Sequence, residues 1–196
     1  DYENAVRDLR YPEFKGHPSK YKGVHYYNGN EDRGGVHTNC TVVGHLGFLL
    51  TSGTTLQPGF GLLDSSYGAN DSAPSLFYHA LTNYLTRSSN FTDLYYALMQ
   101  SGEDLGLDTD FIDRCCQIVN IAGGPIESFY DVRYRDRFNR DIEASFNGNT
   151  ISISDPSADG VLVIRRKRGI DPETCPTILR VSTAGKLRRL VTQAEI

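Results

Sequence analysis

From Val36 to Leu50 the chain is apolar on nearly every side, with Val36, Val42, Val43, Leu46, Phe48, Leu49 and Leu50 interrupted by His37, Asn39 and His45. That pattern predicts a helix buried in the middle of a domain, ended by Gly53. Three amphipathic helices follow. The first is expected over about 72–86, with Ser72 as N-cap and Leu76, Phe77, Ala80, Leu81, Tyr84 and Leu85 inside. The second is expected over about 91–103, capped by Asn90 with Asp93 in the reciprocal position. The third, over about 109–121, puts Phe111, Ile112, Cys115, Cys116, Ile118 and Val119 on one face. Gly123-Gly124-Pro125 then breaks the helical pattern.

The flanks read differently. Residues 11–35 are rich in Gly, Pro, Asn, Tyr and Lys, which predicts a long surface loop of the kind that often carries function. Before it, Val6 and Leu9 stand three apart, as at the end of a helix that begins upstream. Residues 54–70 form another loop. Beyond Pro125 the period falls to two: Ile142, Ala144 and Phe146 alternate before Asn147-Gly148, and Ile151 and Ile153 alternate after it, a hairpin signal. Val161 to Ile164 and Ile178 to Val181 are further short strands. The expected fold is therefore mainly α, a helical bundle over residues 1–123, with a small β-rich extension over 124–196, α+β overall. No internal repeat is present.

Composition narrows this picture. The 196 residues can bury a sizeable core without metals or disulfides. The mean hydropathy is −0.40, and no stretch approaches the ~20 apolar residues of a membrane span. A net charge of −4 gives no reason to expect nucleic acid. Residues 1–123 hold 8 Lys and Arg against 14 Asp and Glu, and residues 124–196 hold 12 against 10, an asymmetry compatible with two structural units. The cysteines, Cys40, Cys115, Cys116 and Cys175, lack zinc-finger spacing, and the vicinal pair reads as two buried thiols on a helix. Sequons at Asn39, Asn70 and Asn90 support secretion weakly. The chain starts at Asp1 without a leader, so a removed start or a piece of a longer polypeptide is expected.

Candidate chemistry concentrates in Asp32-Arg33-Gly34-Gly35-Val36-His37-Thr38-Asn39. A carboxylate stands five residues before a histidine, with two glycines between them to turn the backbone. A carboxylate within reach of an imidazole nitrogen fixes the ring and favours its protonated form. Such a pair can donate a proton or stabilise an oxyanion. A capping Asp beside a structural His satisfies the same spacing, and spacing alone leaves both readings open.

The stretch Gly34-Gly35-Val36-His37-Thr38-Asn39, with the apolar run to Leu50 and Gly53, resembles the second active-site segment of the thermolysin-like zinc metallopeptidases. The stretch from Leu76 to Thr86, then Ser88-Ser89-Asn90-Phe91, resembles that family's next helix and turn. Asp104-Leu105 and the closing helix to about Ile121 continue the similarity, which covers roughly residues 1–122. The resemblance implies the carboxy-terminal helical half of the catalytic domain. It implies that His37 stabilises the tetrahedral intermediate of peptide hydrolysis and that Asp32 orients it. Arg7 resembles the arginine that binds the substrate carbonyl, and Val6 would line an apolar specificity pocket. Zinc is expected for the complete enzyme. Its His-Glu-x-x-His ligands are absent here, because none of His17, His25, His37, His45 and His79 begins that motif, and in family order they would precede Asp1. Asn4 stands where an acidic residue would be expected, which leaves no basis for calcium. The implied partners are a peptide or protein substrate and the amino-terminal half of the same precursor or a companion chain. The implied location is extracellular.

The sequence also departs from that pattern. Cys40-Thr41 replaces an expected Ser-Gly, and Gly44-His45 replaces Asn-Lys. His45 and His79 read as packed or solvated helix residues, not ligands. Arg165-Arg166-Lys167-Arg168 before Gly169 matches both a furin-like cleavage pattern and a solvated strand end. Two functional readings follow: part of a secreted zinc endopeptidase, or a non-catalytic binding or structural module derived from one.

Overall fold

A computed structural model describes residues 5–52, 72–124, 126–135, 138, 140–142, 144–147, 150–153, 161–176, 178–183 and 186–191. Asn4, Gly53, the loop over 54–70, Asn70, Pro125 and Gly148 lie outside them. The chain divides into two compact units, Asp1–Leu85 with Ala97–Ala122, and Thr86–Tyr96 with Gly123–Ile196.

The first unit is helical. It contains α1 (Asp32–Ser52), α2 (Ser72–Asn83), most of α3 (Phe91–Leu105) and α4 (Thr109–Ile118). α1 packs against α2 and α4. Val42, Leu46 and Leu50 of α1, Leu76 and Ala80 of α2, Leu98 of α3 and Ile112 and Cys115 of α4 are fully buried. α1 carries Gly44 and Gly47 in its interior, which cost about 0.5–1 kcal/mol each relative to Ala. Burying each large aliphatic side chain contributes about 1.5–3 kcal/mol, so packing decides this helix, not propensity. Asp108 caps α4 by accepting the Phe111 N–H at 2.9 Å. Cys115 and Cys116 are buried free thiols, as expected of the vicinal pair. Burial pushes the Cys115 thiol up to about 12 and raises Cys116 as well.

Three expectations need correction. Residues 5–11 are not helical. The Asp8 carboxylate takes the N–H groups of Arg10 and Tyr11, both at 2.8 Å, and so competes with helical bonding. The chain then enters a 3-10 turn over Pro12–Lys15. On α2, Leu81 is exposed, so its buried stripe is narrower than the period implied. α4 ends at Ile118, and Val119 and Ile121 are buried beyond it.

The second unit is β-rich. After a short helix, α5 (Ile126–Phe129), come β1 (Tyr130–Arg135), β2 (Asp141–Ile142), β3 (Ala144–Asn147), β4 (Thr150–Ile153), β5 (Val161–Arg166), β6 (Ile178–Thr183) and β7 (Lys186–Val191). They form sheets of order β2-β1-β5 and β3-β4-β6-β7. The anticipated hairpin is β3–β4, with Asn147 opposite Thr150. Tyr134, Ile151, Ile153 and Val181 form the core, with Val132, Leu162 and Ile164 against it. The expected capping box closes at the start of α3: Asn90 N–H donates to Asp93 at 2.9 Å and Asp93 N–H donates back to Asn90 at 3.0 Å. The Asn90 amide nitrogen also donates to Cys175 O at 2.8 Å. The mainly helical fold with a small β extension is thus observed.

α1 begins with a left-handed turn. Asp32, Arg33, Gly34 and Gly35 have φ of +50°, +53°, +83° and +76°. A Cβ on Gly34 would meet nothing within 4 Å, whereas one on Gly35 would lie 2.6 Å from the Tyr27 ring. Gly34→Ala should therefore cost about 1 kcal/mol, the left-handed penalty alone, and Gly35→Ala about 2–3 kcal/mol. Urea unfolding of the two variants measures the difference, and equal losses would refute the steric part.

Candidate active site

The left-handed turn folds the Asp32 side chain back over the first turn of the right-handed helix. One carboxylate oxygen accepts the His37 N–H at 2.9 Å, and the other meets His37 Nδ1 at 2.6 Å. Asp32 thus acts at once as a helix cap and as the orienting group for the ring. The bond to the His37 N–H, then the bond to its ring, hold the Asp32 carboxyl below its ordinary value of 3.8. With Nδ1 engaged, Nε2 is the ring atom left for a ligand, on a side chain that is 82% exposed.

The turn has its own support. Gly34 and Gly35 N–H both donate to Glu31 O at 3.0 Å. The buried Asn39 accepts the Tyr27 N–H at 2.9 Å and donates to Tyr27 O and Gly34 O, each at 3.0 Å. The Tyr27 hydroxyl takes the Glu31 N–H at 3.3 Å. Asn39 therefore clasps loop to helix with its whole amide, which leaves it no room to carry a glycan. Neither Asn39 nor Tyr27 stood out as a site residue in the sequence. Asn39 read as a sequon, and Tyr27 as one of many tyrosines in the loop.

Arg7 lies at the same place, its guanidinium donating to His37 O at 2.8 Å. The structure thus brings Arg7, Asp32 and His37 together, while Val6 is 75% exposed beside Arg7 in the chain. Two of the other histidines have local partners, whereas the buried His17 Nδ1 has none among the described residues. His45 Nδ1 meets Leu9 O at 2.7 Å, and His79 Nδ1 meets Ser101 Oγ at 3.1 Å. Cys40 is an exposed free thiol one turn beyond His37. Among the described residues no three His, Cys, Asp or Glu side chains converge to hold a metal. No described helix is long and apolar enough to cross a membrane.

α1 is buried along one stripe and not all round as its apolar run predicted, with Val36 exposed. A helical domain that presents a carboxylate-held histidine at the start of such a helix is the class these elements define. Residues 1–118 match the alpha-helical domain of the thermolysin metallopeptidases, and the chain belongs to that family. It is 38% identical over 102 residues to a bacillolysin of Brevibacillus brevis, covering 52% of this chain and 18% of the relative. It is 33% identical over 121 residues to a thermolysin of Alicyclobacillus acidocaldarius subsp. acidocaldarius, covering 61% of this chain and 21% of the relative. A bacillolysin of Bacillus caldolyticus matches to the same extent. The matched segment thus spans about a fifth of the length of these curated relatives.

A depressed folded pKa adds stability above the unfolded value and loses it as pH falls through the folded one. The Asp32–His37 junction should therefore hold at pH 5 and loosen below about 3.8. In a carboxyl-carbon NMR titration, the Asp32 midpoint should lie below that value. It should stay depressed in His37→Ala, because the residue 37 N–H still donates. A full return to 3.8 in that variant would show that the ring bond dominates.

Proposed function

We propose that this chain is the carboxy-terminal, helical part of a secreted thermolysin-like zinc endopeptidase, and that it supplies the transition-state histidine. The observation that carries this reading is the two-pronged Asp32 carboxylate on His37. A bound Nδ1 fixes the tautomer and aims Nε2 outward. From there a protonated ring donates to the oxyanion that develops when water adds to a peptide carbonyl. Arg7 is the fork that would take the substrate's carbonyl oxygen beside it. Val6 is an apolar wall of the specificity pocket. Membership of the peptidase family supports peptides or proteins as substrates.

The described residues do not fit a zinc ion, so the zinc expected of the complete enzyme calls for ligands beyond them. Those would come from the amino-terminal half of the same precursor or a companion chain. An extracellular location is part of the same proposal.

The test is peptide hydrolysis by this polypeptide joined to its zinc-binding half. His37→Ala should lower kcat by about 10²–10³, the range for losing one oxyanion donor, with KM little changed. Asp32→Asn should give a smaller loss, because the ring remains but loses the carboxylate that orients it. An unchanged kcat in His37→Ala sinks the assigned role. Absence of both hydrolysis and bound zinc favours the non-catalytic module.

A further inference from the structure

β5 ends at Arg166, and the chain turns through Lys167, Arg168 and Gly169 before the 3-10 turn at Pro172–Thr174. Arg165, Arg166, Arg168 and Gly169 are exposed. Gly169 has φ +85°, and nothing lies within 4 Å of where its Cβ would stand. β5 is the edge of its sheet, so its outer side has no strand partner among the described residues. Nor does any carboxylate among them form an ion pair with Arg165, Arg166 or Arg168. Charges on an edge strand can serve simply to block sheet-to-sheet association. Here the basic run continues past the strand into the turn, where there is no edge to guard.

We propose that the Arg168–Gly169 peptide bond is a cleavage site for a subtilisin-like convertase that reads basic residues one, two and four positions before the cut. Such a protease takes its substrate as an extended strand along its own backbone, and its acidic pockets hold the guanidinium and ammonium groups. Arg165 and Arg166 are already extended, on a strand edge unpaired among the described residues. Arg168 and Gly169 stand clear on the turn. The bond from Lys167 N–H to Phe129 O, at 2.9 Å, and that from Ile170 N–H to Lys167 O, at 3.4 Å, must open for the segment to enter, and the half-buried Lys167 must leave its other contact as well. Water then adds across the bond. Its oxygen goes to the Arg168 carbonyl carbon and a proton to the Gly169 nitrogen as the C–N bond breaks, with no other reactant.

The cut is a nick, not a release. β6, beyond it, pairs in parallel with β4. Thr92 donates to Thr174 O at 3.0 Å, Asn90 to Cys175 O at 2.8 Å, and Tyr130 to Pro176 O at 2.6 Å. These bonds stay on either side of the new ends. The proposal does not depend on peptidase activity of this chain.

The folded chain is incubated with a purified furin-like convertase and followed by intact mass and N-terminal sequencing. A single cut is expected, with a new terminus at Gly169 and two pieces that co-elute in native gel filtration and part in denaturant. Arg165→Ala should slow convertase cleavage at least tenfold, while limiting trypsin still cuts the same turn and the thermal midpoint is unchanged. Cleavage only after heat unfolding overturns the site. Equal cleavage of Arg165→Ala overturns the convertase, and separation of the pieces without denaturant overturns the nick.

Discussion

The site rests on a local inversion of handedness. For L-residues other than glycine, each left-handed position costs roughly 1–2 kcal/mol, and here Asp32 and Arg33 both occupy it. The inversion is what brings a carboxylate only five residues upstream back onto the N–H and ring of His37. A continuous right-handed helix through Asp32 would carry the two residues to different parts of its surface, since neighbours on a face are three or four apart. Gly34 and Gly35 halve the cost of the turn. The Glu31 carbonyl and the Asn39 amide stabilise what remains.

That arrangement needs a firm base, and the loop before it is tied at several points. Thr41 Oγ1 donates to Pro18 O at 3.0 Å, Tyr21 N–H to Val119 O at 2.9 Å, and Asn120 to Tyr21 O at 3.0 Å. Long loops survive in compact domains when their backbone groups are satisfied in this way. The fully buried stripe Val42-Leu46-Leu50 then holds α1 itself. The exposed His37 ring is thereby mounted on hydrogen-bonded backbone with a buried stripe behind it.

Much of this was legible. Asp108 aside, the helices follow apolar spacing that core burial enforces, and the Asn90–Asp93 box appears at its expected place. The two glycines before His37 signalled a tight turn, though not its handedness, which depends on contacts with Tyr27 twelve residues before Asn39. Non-local ties of that kind leave no period in the sequence. The β unit shows the same limit. Ile142, Ala144 and Phe146 read as one strand, yet the chain passes from one sheet to the other between Ile142 and Ala144. β1 and β7 escaped notice because charged residues dilute their alternation. The end of a helix expected before Leu9 failed for a local reason, the Asp8 side chain bonding ahead.

Geometry and strength are separable in the His37 site. Orientation is set within this chain, by bonds of 2.6 and 2.9 Å to one carboxylate. The strength of a hydrogen bond to a developing oxyanion depends on the dielectric around it. At 82% exposure the ring is surrounded by solvent, where such a bond is screened and gains little over water. In the proposed reading, aiming Nε2 is therefore what the helical domain would contribute. Making that aim count requires surface that excludes water from the ring, and the remaining four-fifths of a relative's length is where such surface would be sought.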